Sequence, residues 1–242
     1  EGADDDGGVL VSGSPDGAVR VWRVHVSGGG DGGARGRVTQ LCELAPLPQA
    51  QRVNALGAAV VGAGAARVLL IWVGGSKGAV AAGAAQMAGG GRDGWVEACE
   101  RHAHAEHAVT HLLTSESRGD AEDGVACRAL SCGRDGAINE LCCEVRCADA
   151  GGRRAARVHL GVLRTWRCPA AKSLEWLIAP GGSDALLVVG FVQKELIVWS
   201  VHDQQQLASL QCHGYRHPKD ARLDAASAHI AFAYSCAARV HV

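Results

Sequence analysis

The chain has 242 residues, of which 48% are hydrophobic but only 4% aromatic, with 33 glycines and a formal net charge of −1. Length and apolar content allow one large all-β domain or two small ones, and the near-neutral charge excludes a nucleic-acid binder that works through its global field. No apolar run approaches the roughly 18 residues that a membrane helix needs. The opening residues Glu1-Gly2-Ala3-Asp4-Asp5-Asp6 carry no initiator Met and no signal segment, so residue 1 is not expected to be the natural start. Ten cysteines stand at 42, 99, 127, 132, 142, 143, 147, 168, 212 and 236, with no Cys-x-x-Cys pair. They read as reduced thiols used as small buried hydrophobes in a reducing compartment, here expected to be the cytoplasm.

The first element in chain order is Val9-Leu-Val-Ser-Gly-Ser-Pro-Asp-Gly-Ala-Val-Arg-Val-Trp22, a β-hairpin whose turn is Asp16-Gly17. Asp-Gly between β-rich runs is a strong hairpin signal, because Gly supplies the positive φ without strain. The pattern recurs at Leu70–Val80, Ala129–Ile138 and Leu186–Trp199, with turns at 77–78, 135–136 and 193–194. The turn positions Gly17, Gly78, Gly136 and Lys194 are 61, 58 and 58 residues apart. Apolar strands precede the later hairpins at Val53–Leu56, Ala108–Leu113 and Ser173–Ile178, and another follows the last at Leu207–Gln211. About four strands per unit is the make-up of a propeller blade.

The sequence therefore predicts an all-β fold, a partial β-propeller of four to five four-stranded blades. The units run roughly 1–50, 51–104, 105–165, 166–222 and an incomplete 223–242. Blades typically need about 40–45 residues. The surplus is assigned to loops at Ser27–Gly36, Ala81–Gly94 and 115–126. Helix-like stretches near 79–87 and 95–106 lack a sustained 3.6-residue apolar stripe. An arc of blades leaves at least one open, apolar blade face.

Gly13-Ser-Pro-Asp-Gly-Ala-Val-Arg-Val-Trp22 resembles a WD repeat, although Arg23 and Ser200 follow Trp22 and Trp199 where the namesake Asp would stand, and no histidine stands out as the structural one. The C-terminal half has Gly133-Arg-Asp-Gly136, Ser173-Leu-Glu-Trp-Leu177, Gly190-Phe191, Glu195-Leu-Ile-Val-Trp199, Cys212-His-Gly-Tyr-Arg-His-Pro218 and Ala231-Phe-Ala-Tyr234 in order. This series resembles the WD-repeat subunit that partners the tRNA wobble-ribose 2'-O-methyltransferase. The likeness covers about 105–242 well and 1–104 weakly; His213 and His217 depart from it. It implies an internal segment of a longer protein that is not itself an enzyme. Such a scaffold binds a methyltransferase catalytic subunit and tRNA, and the methyl-transfer chemistry belongs to the partner. The alternative reading is a generic WD-repeat adaptor without RNA contact.

Val60-Val-Gly-Ala-Gly-Ala-Ala66 has the composition of a nucleotide-binding glycine loop, but a strand follows it and no acid appears before Asp93, so it reads as an inter-strand turn. Cys99, His102, His104, His107 and His111 lack a partner at zinc spacing and read as surface or loop residues, with no metal assigned. No catalytic or cofactor-binding residue is assigned, and neither a small-molecule substrate nor a membrane is expected. Two basic stretches supply candidate RNA- or partner-contact residues: Arg153 and Arg154 in one, and Tyr215, Arg216, His217, Lys219 and Arg222 in the other. Backbone phosphates suit the cations and an unstacked base suits the Tyr215 ring. Gly214 and Pro218 predict a rigid surface loop for the second stretch.

Overall fold

The computed structural model describes residues 8–28, 34–48, 51–61, 68–86, 96–100, 102–114, 124–150, 153–167, 174, 176–178, 187–192, 195–200, 203–211, 216–224, 229–236 and 239–241. All its regular elements are antiparallel strands, grouped in five sheets. The first holds β1 (Gly8–Gly13), β2 (Val19–Gly28) and β3 (Ala34–Leu44). The second holds β4 (Val53–Val61), β5 (Val68–Gly75), β6 (Val80–Gln86) and β7 (Val96–Glu100). The third holds β8 (Val109–Thr114), β9 (Gly124–Gly133), β10 (Ala137–Ala150) and β11 (Arg153–Arg167). The fourth holds β12 (Trp176–Ile178), β13 (Leu187–Val192), β14 (Glu195–Ser200) and β15 (Gln205–Gln211), and the fifth β16 (Arg216–Asp224), β17 (His229–Cys236) and β18 (Arg239–His241). Each sheet is a simple meander, every strand pairing with the next in sequence.

The turn chemistry explains the hairpins. Gly17, Gly78 and Gly136 have φ of +90°, +83° and +74°, the left-handed region in which a side chain is strained. Asp16 and Asp135 each accept a hydrogen bond from the backbone N–H two residues on, at Ala18 and Ala137, which closes the turn from the side chain. The expected turn at 193–194 lies outside the described residues; the strands on either side of it pair as Val192↔Glu195.

Successive sheets stack face to face, and strand alternation sorts the core. On β5, Leu69, Ile71 and Val73 join Val19, Val21, Cys42 and Leu44 of the first sheet. The intervening Leu70 and Trp72 join Val109, Leu112, Cys127, Ala129, Leu141 and Cys143 of the third. On the other side of that sheet Leu130, Cys132, Ile138 and Trp166 pack on Leu174, Ile197 and Trp199. A strand buried on both faces reads as a continuous apolar run, and every residue of β5 is buried. The first strands of the sheets lie next to one another in the sequence β1, β4, β8, β12, β16. The result is an all-β partial propeller whose sheets form an arc that does not close.

Three stretches expected as loops contain strand. Residues 80–86 form β6, with Ala81, Ala82, Ala84 and Ala85 buried. Small side chains suit a strand pressed between two neighbours, so the Ala-rich composition misled the sequence reading. Ser27, Gly28 and 34–36 likewise belong to β2 and β3, and 124–126 to β9. In the helix-like stretch 95–106, residues 96–100 form β7 and 102–106 a turn. No helix of the described residues is long and apolar enough to cross a membrane.

The meanders give the arc two unlike ends. The short hairpin turns at 14–17, 76–78 and 134–136 share one end with the crossings between sheets, as the bonds from Val53 N to Ser14 O, His104 N to Gly78 O and Leu174 N to Gly133 O require. The opposite strand ends are Gly28 and Ala34, Val61 and Val68, Gln86 and Val96, Thr114 and Gly124, and Ala150 and Arg153.

Trp199 is 4% exposed, and its indole N–H, like that of Trp166, is buried without a hydrogen-bond partner among the described residues. Trp199→Ala is expected to destabilise the fold by about 3–5 kcal/mol. Trp199→Phe should cost clearly less, because no hydrogen bond is lost with the indole. Gly136→Val should cost about 1–3 kcal/mol through its positive φ. Denaturant titration of the three variants checks all of these, and a neutral Gly136→Val would refute the turn assignment.

Candidate functional site

The densest polar constellation is buried at the junction of the second and third sheets. It starts from the turn at 102–107 that follows β7. Ala105 and Glu106 there have φ of +41° and +66°. This tight turn brings His104 inward, with its backbone N–H donating to Gly78 O at 3.1 Å. The imidazole is fully buried. Its Nδ1 lies 3.0 Å from Asp135 Oδ1 and its Nε2 2.8 Å from Ser131 Oγ and 3.1 Å from Asn139 Nδ2.

The hydrogen-bond inventory orients the groups. A carboxylate only accepts, so Nδ1 donates to Asp135. Asn139 Oδ1 accepts from Thr165 Oγ1 at 2.7 Å and its Nδ2 donates to Ala103 O. The amide nitrogen therefore faces His104 Nε2. The Asp135 carboxyl is pushed up by burial, but hydrogen bonds from His104 and from the Ala137 N–H, with the Arg167 charge, hold it below the usual carboxylate value. Gly133 leaves room for the pair: a Cβ there would lie 2.6 Å from His104 Nδ1 and 2.9 Å from Asp135 Oδ1.

Asp, His and Ser at these distances have the connectivity of a nucleophilic triad. This one is sealed, since His104 and Ser131 are both 0% exposed, and a second donor occupies Nε2. A general base must have Nε2 available for the serine proton and a substrate within reach. The arrangement acts as a clamp that joins two sheets. The preceding junction uses a neutral counterpart: Gln51 is buried, and its Oε1 accepts from Lys77 N at 3.2 Å.

His104 thus corrects the reading of the 99–111 cluster as surface or loop residues. Cys99, His102 and His107 are exposed, whereas His104 is the structural histidine that the sequence reading did not find. Its signal was the Asp135-Gly136 turn that it meets across the next sheet. No three His, Cys, Asp or Glu side chains of the described residues are grouped to hold a metal ion. Cys127 and Cys143 face each other across β9 and β10 in the core. Burial pushes the Cys143 thiol up to about 12, away from nucleophilic use. The glycine stretch 60–66 is followed by β5, not by a helix, and its residues from 62 on lie outside the described ones.

The sequence-assigned basic residues fall on strands. Arg153 and Arg154 open β11, opposite Ala150 and Asp149. Tyr215 lies outside the described residues. Arg216, His217 and Arg222 pair with Cys236, Ser235 and Ala231 along β16, and Lys219 is the unpaired residue of a bulge between Pro218 and Asp220. The described part of the expected rigid loop, from Arg216 on, is thus an edge strand. Proline is tolerated there because no neighbour needs its N–H, and the bulge absorbs the register change. The two sets sit on the third and fifth sheets, so the fold does not combine them into one patch.

Each partner removed from the clamp leaves a buried group unpaired, at about 1–3 kcal/mol per neutral group. His104→Ala should therefore destabilise more than His104→Gln, since glutamine serves at position 51. The pH response has a definite sign. The Asp135 carboxyl is held below its unfolded value of 3.8, so its contribution is present above that value and lost as pH falls through the folded one. Wild type should exceed Asp135→Asn in stability at neutral pH, and the gap should narrow below about pH 4. Thermal melts across pH test this, and a gap that widens on acidification would overturn it.

No protein-family model matches the chain, and no curated protein sequence matches it. Among solved structures it is similar to a chain of the mitotic checkpoint complex, with 11% identity, a TM-score of 0.37, and coverage of 85% of this chain and 64% of that one. It is also similar to the WD40 domain of SCAP from fission yeast, with 10% identity, a TM-score of 0.39, and coverage of 85% of this chain and 44% of that one. The chain thus spans less than two thirds of either structure.

Proposed function

We propose that this chain is a scaffold segment without chemistry of its own, which holds a separate tRNA methyltransferase and the tRNA anticodon loop for 2'-O-methylation of the wobble ribose. The observation that carries the reading is the ordered series of residues in the C-terminal half. The Gly133–Gly136 turn, Gly190-Phe191, Val198-Trp199, the Cys212–Pro218 element and Ala231–Tyr234 follow one another as in the WD-repeat partner of that enzyme. Their places in the fold support it: Asp135 of the turn carries the clamp, Gly190-Phe191 lies in β13, Trp199 in β14, and Ala231–Tyr234 in β17. In this reading the stacked sheets supply rigid placement, and S-adenosylmethionine and the methyl transfer belong to the partner. Arg216, His217, Lys219 and Arg222 on β16, with Tyr215 before it and Arg153 and Arg154 on β11, are the proposed contacts to RNA or to the enzyme. Phosphate contacts of this kind position the RNA and do not read its sequence.

The test is the double variant Arg216→Ala, Lys219→Ala in the full-length protein. Binding of tRNA should weaken, and the slope of log affinity against log salt should fall by roughly 1–2, one phosphate contact per cation. Folding should be unchanged. Equal affinity and slope in the variant would leave β16 a structural element and favour an adaptor that does not touch RNA. Co-purification of a methyltransferase subunit with the full-length protein is the second expected outcome.

A further inference from the structure

The first sheet has three strands where the second, third and fourth have four. The one it lacks is the leading strand. The hairpins of Gly78 and Gly136 are β5–β6 and β9–β10, and β4 and β8 pair with the other edge of β5 and β9. The corresponding hairpin of Gly17 is β1–β2, and no described strand pairs with the other edge of β1. That edge, Gly-Val-Leu-Val-Ser-Gly, carries no charged residue and no proline, the devices by which an exposed edge avoids further pairing.

The gap leaves part of β4 uncovered. Leu56, Ala58 and Val60 pair with Val73, Ile71 and Leu69 and share their face, toward the first sheet. The third sheet has Leu112 and Thr114 at the places of Leu56 and Ala58: they pair with Ser131 and Ala129, which precede Gly136 by the same intervals as Val73 and Ile71 precede Gly78. There β4 lies over them, and a Cβ on Gly57 would come within 2.9 Å of Thr114 Cγ2. Leu112 is accordingly 5% exposed, whereas Leu56 is half-buried, Ala58 is exposed and Val60 is 45% exposed. The unpaired edge of β1 and the aliphatic face of β4 thus bound a slot for one extended strand, held by backbone hydrogen bonds on one side and apolar contact on the other.

We propose that the stretch of the longer protein directly upstream of Glu1 fills this slot, as a fourth strand antiparallel to β1. Spacing argues for that source. The strand β4 runs from 25 to 17 residues before Gly78, and β8 from 27 to 22 residues before Gly136. The same intervals counted back from Gly17 end ahead of Glu1. The side-chain chemistry of the strand is also defined. The face turned to Leu56, Ala58 and Val60 needs small residues, like Ala55, Gly57 and Ala59 where β4 meets the third sheet. Nothing in this assignment depends on RNA contact, whose test residues lie on β16.

The probe is the thiol introduced by Val60→Cys, in the 242-residue chain and in the full-length protein, alkylated with N-ethylmaleimide and followed by peptide mass mapping. Buried Cys143 reports an intact fold by staying unmodified. The thiol at position 60 should react about tenfold or more slowly in the full-length protein than in the 242-residue chain, at any protein concentration. Replacing the roughly ten residues upstream of Glu1 by a Gly-Ser linker should restore the fast rate. Equal rates in the two proteins overturn the proposal. Protection that survives the linker assigns the slot to another segment or a partner, and protection that grows with concentration assigns it to a second copy; either overturns it too. Should the linker variant expose Cys143, a copy of residues 51–67 fused in place of residues 1–6 of the 242-residue chain decides. It should raise the melting temperature and protect position 60, and a scrambled copy that does the same refutes the slot.

Discussion

A fully buried imidazole held between two turns is the constraint on which the rest of the arc depends. Sheets that are apolar on both faces cannot stand alone, and burial of their side chains is non-directional. Dispersion and hydrophobic burial would accept several ways of sliding one sheet along the next. The His104 clamp accepts one, because it needs the Gly78 carbonyl of one sheet and Asp135, Ser131 and Asn139 of the other at hydrogen-bond distance together. Unpaired, these buried groups would cost more than most single apolar contacts contribute. The clamp therefore sets the stacking register, and the apolar faces supply the stability.

The junctions share a plan but not a chemistry. Val53 N to Ser14 O and Leu174 N to Gly133 O are the same bond two junctions apart. Thr110 Oγ1 adds a bond to Leu174 O at 2.6 Å at the junction of the third and fourth sheets. Gln51 takes the place of His104 one junction earlier, and there Gly75 makes the room that Gly133 makes at the next. Stability is thus assembled from neighbour-to-neighbour terms, as in other repeat architectures. The ionisable junction between the second and third sheets differs from the neutral one before it in its response to acid.

The hairpins were legible because their chemistry is local. Asp16-Gly17 and Asp135-Gly136 announce a left-handed turn within two residues, and the apolar runs on either side announce buried strands. His104 was not legible as a structural residue, because its partners Ser131, Asp135 and Asn139 come 27 to 35 residues later, and neighbouring histidines drew attention to metal chemistry. The strand β6 was hidden by alanine, which has low β propensity but fits where two sheets close on it. The strand β16 was hidden by Pro218, whose turn preference gave way to edge-strand pairing and a bulge.

The unlike ends of the arc bear on how such a chain can grow. Every inter-sheet bond described above lies at the end that carries the short hairpin turns, so a residue inserted there would pull a clamp out of register. The other strand ends carry none of these bonds, and lengthening a connection between them costs only a slowly rising closure entropy. A unit of about sixty residues, larger than the roughly 40–45 typical of such repeats, can thus accumulate its excess at one pole without disturbing the seams. That pole is free to diversify while the other is held fixed, and the long β10–β11 hairpin points toward the free one.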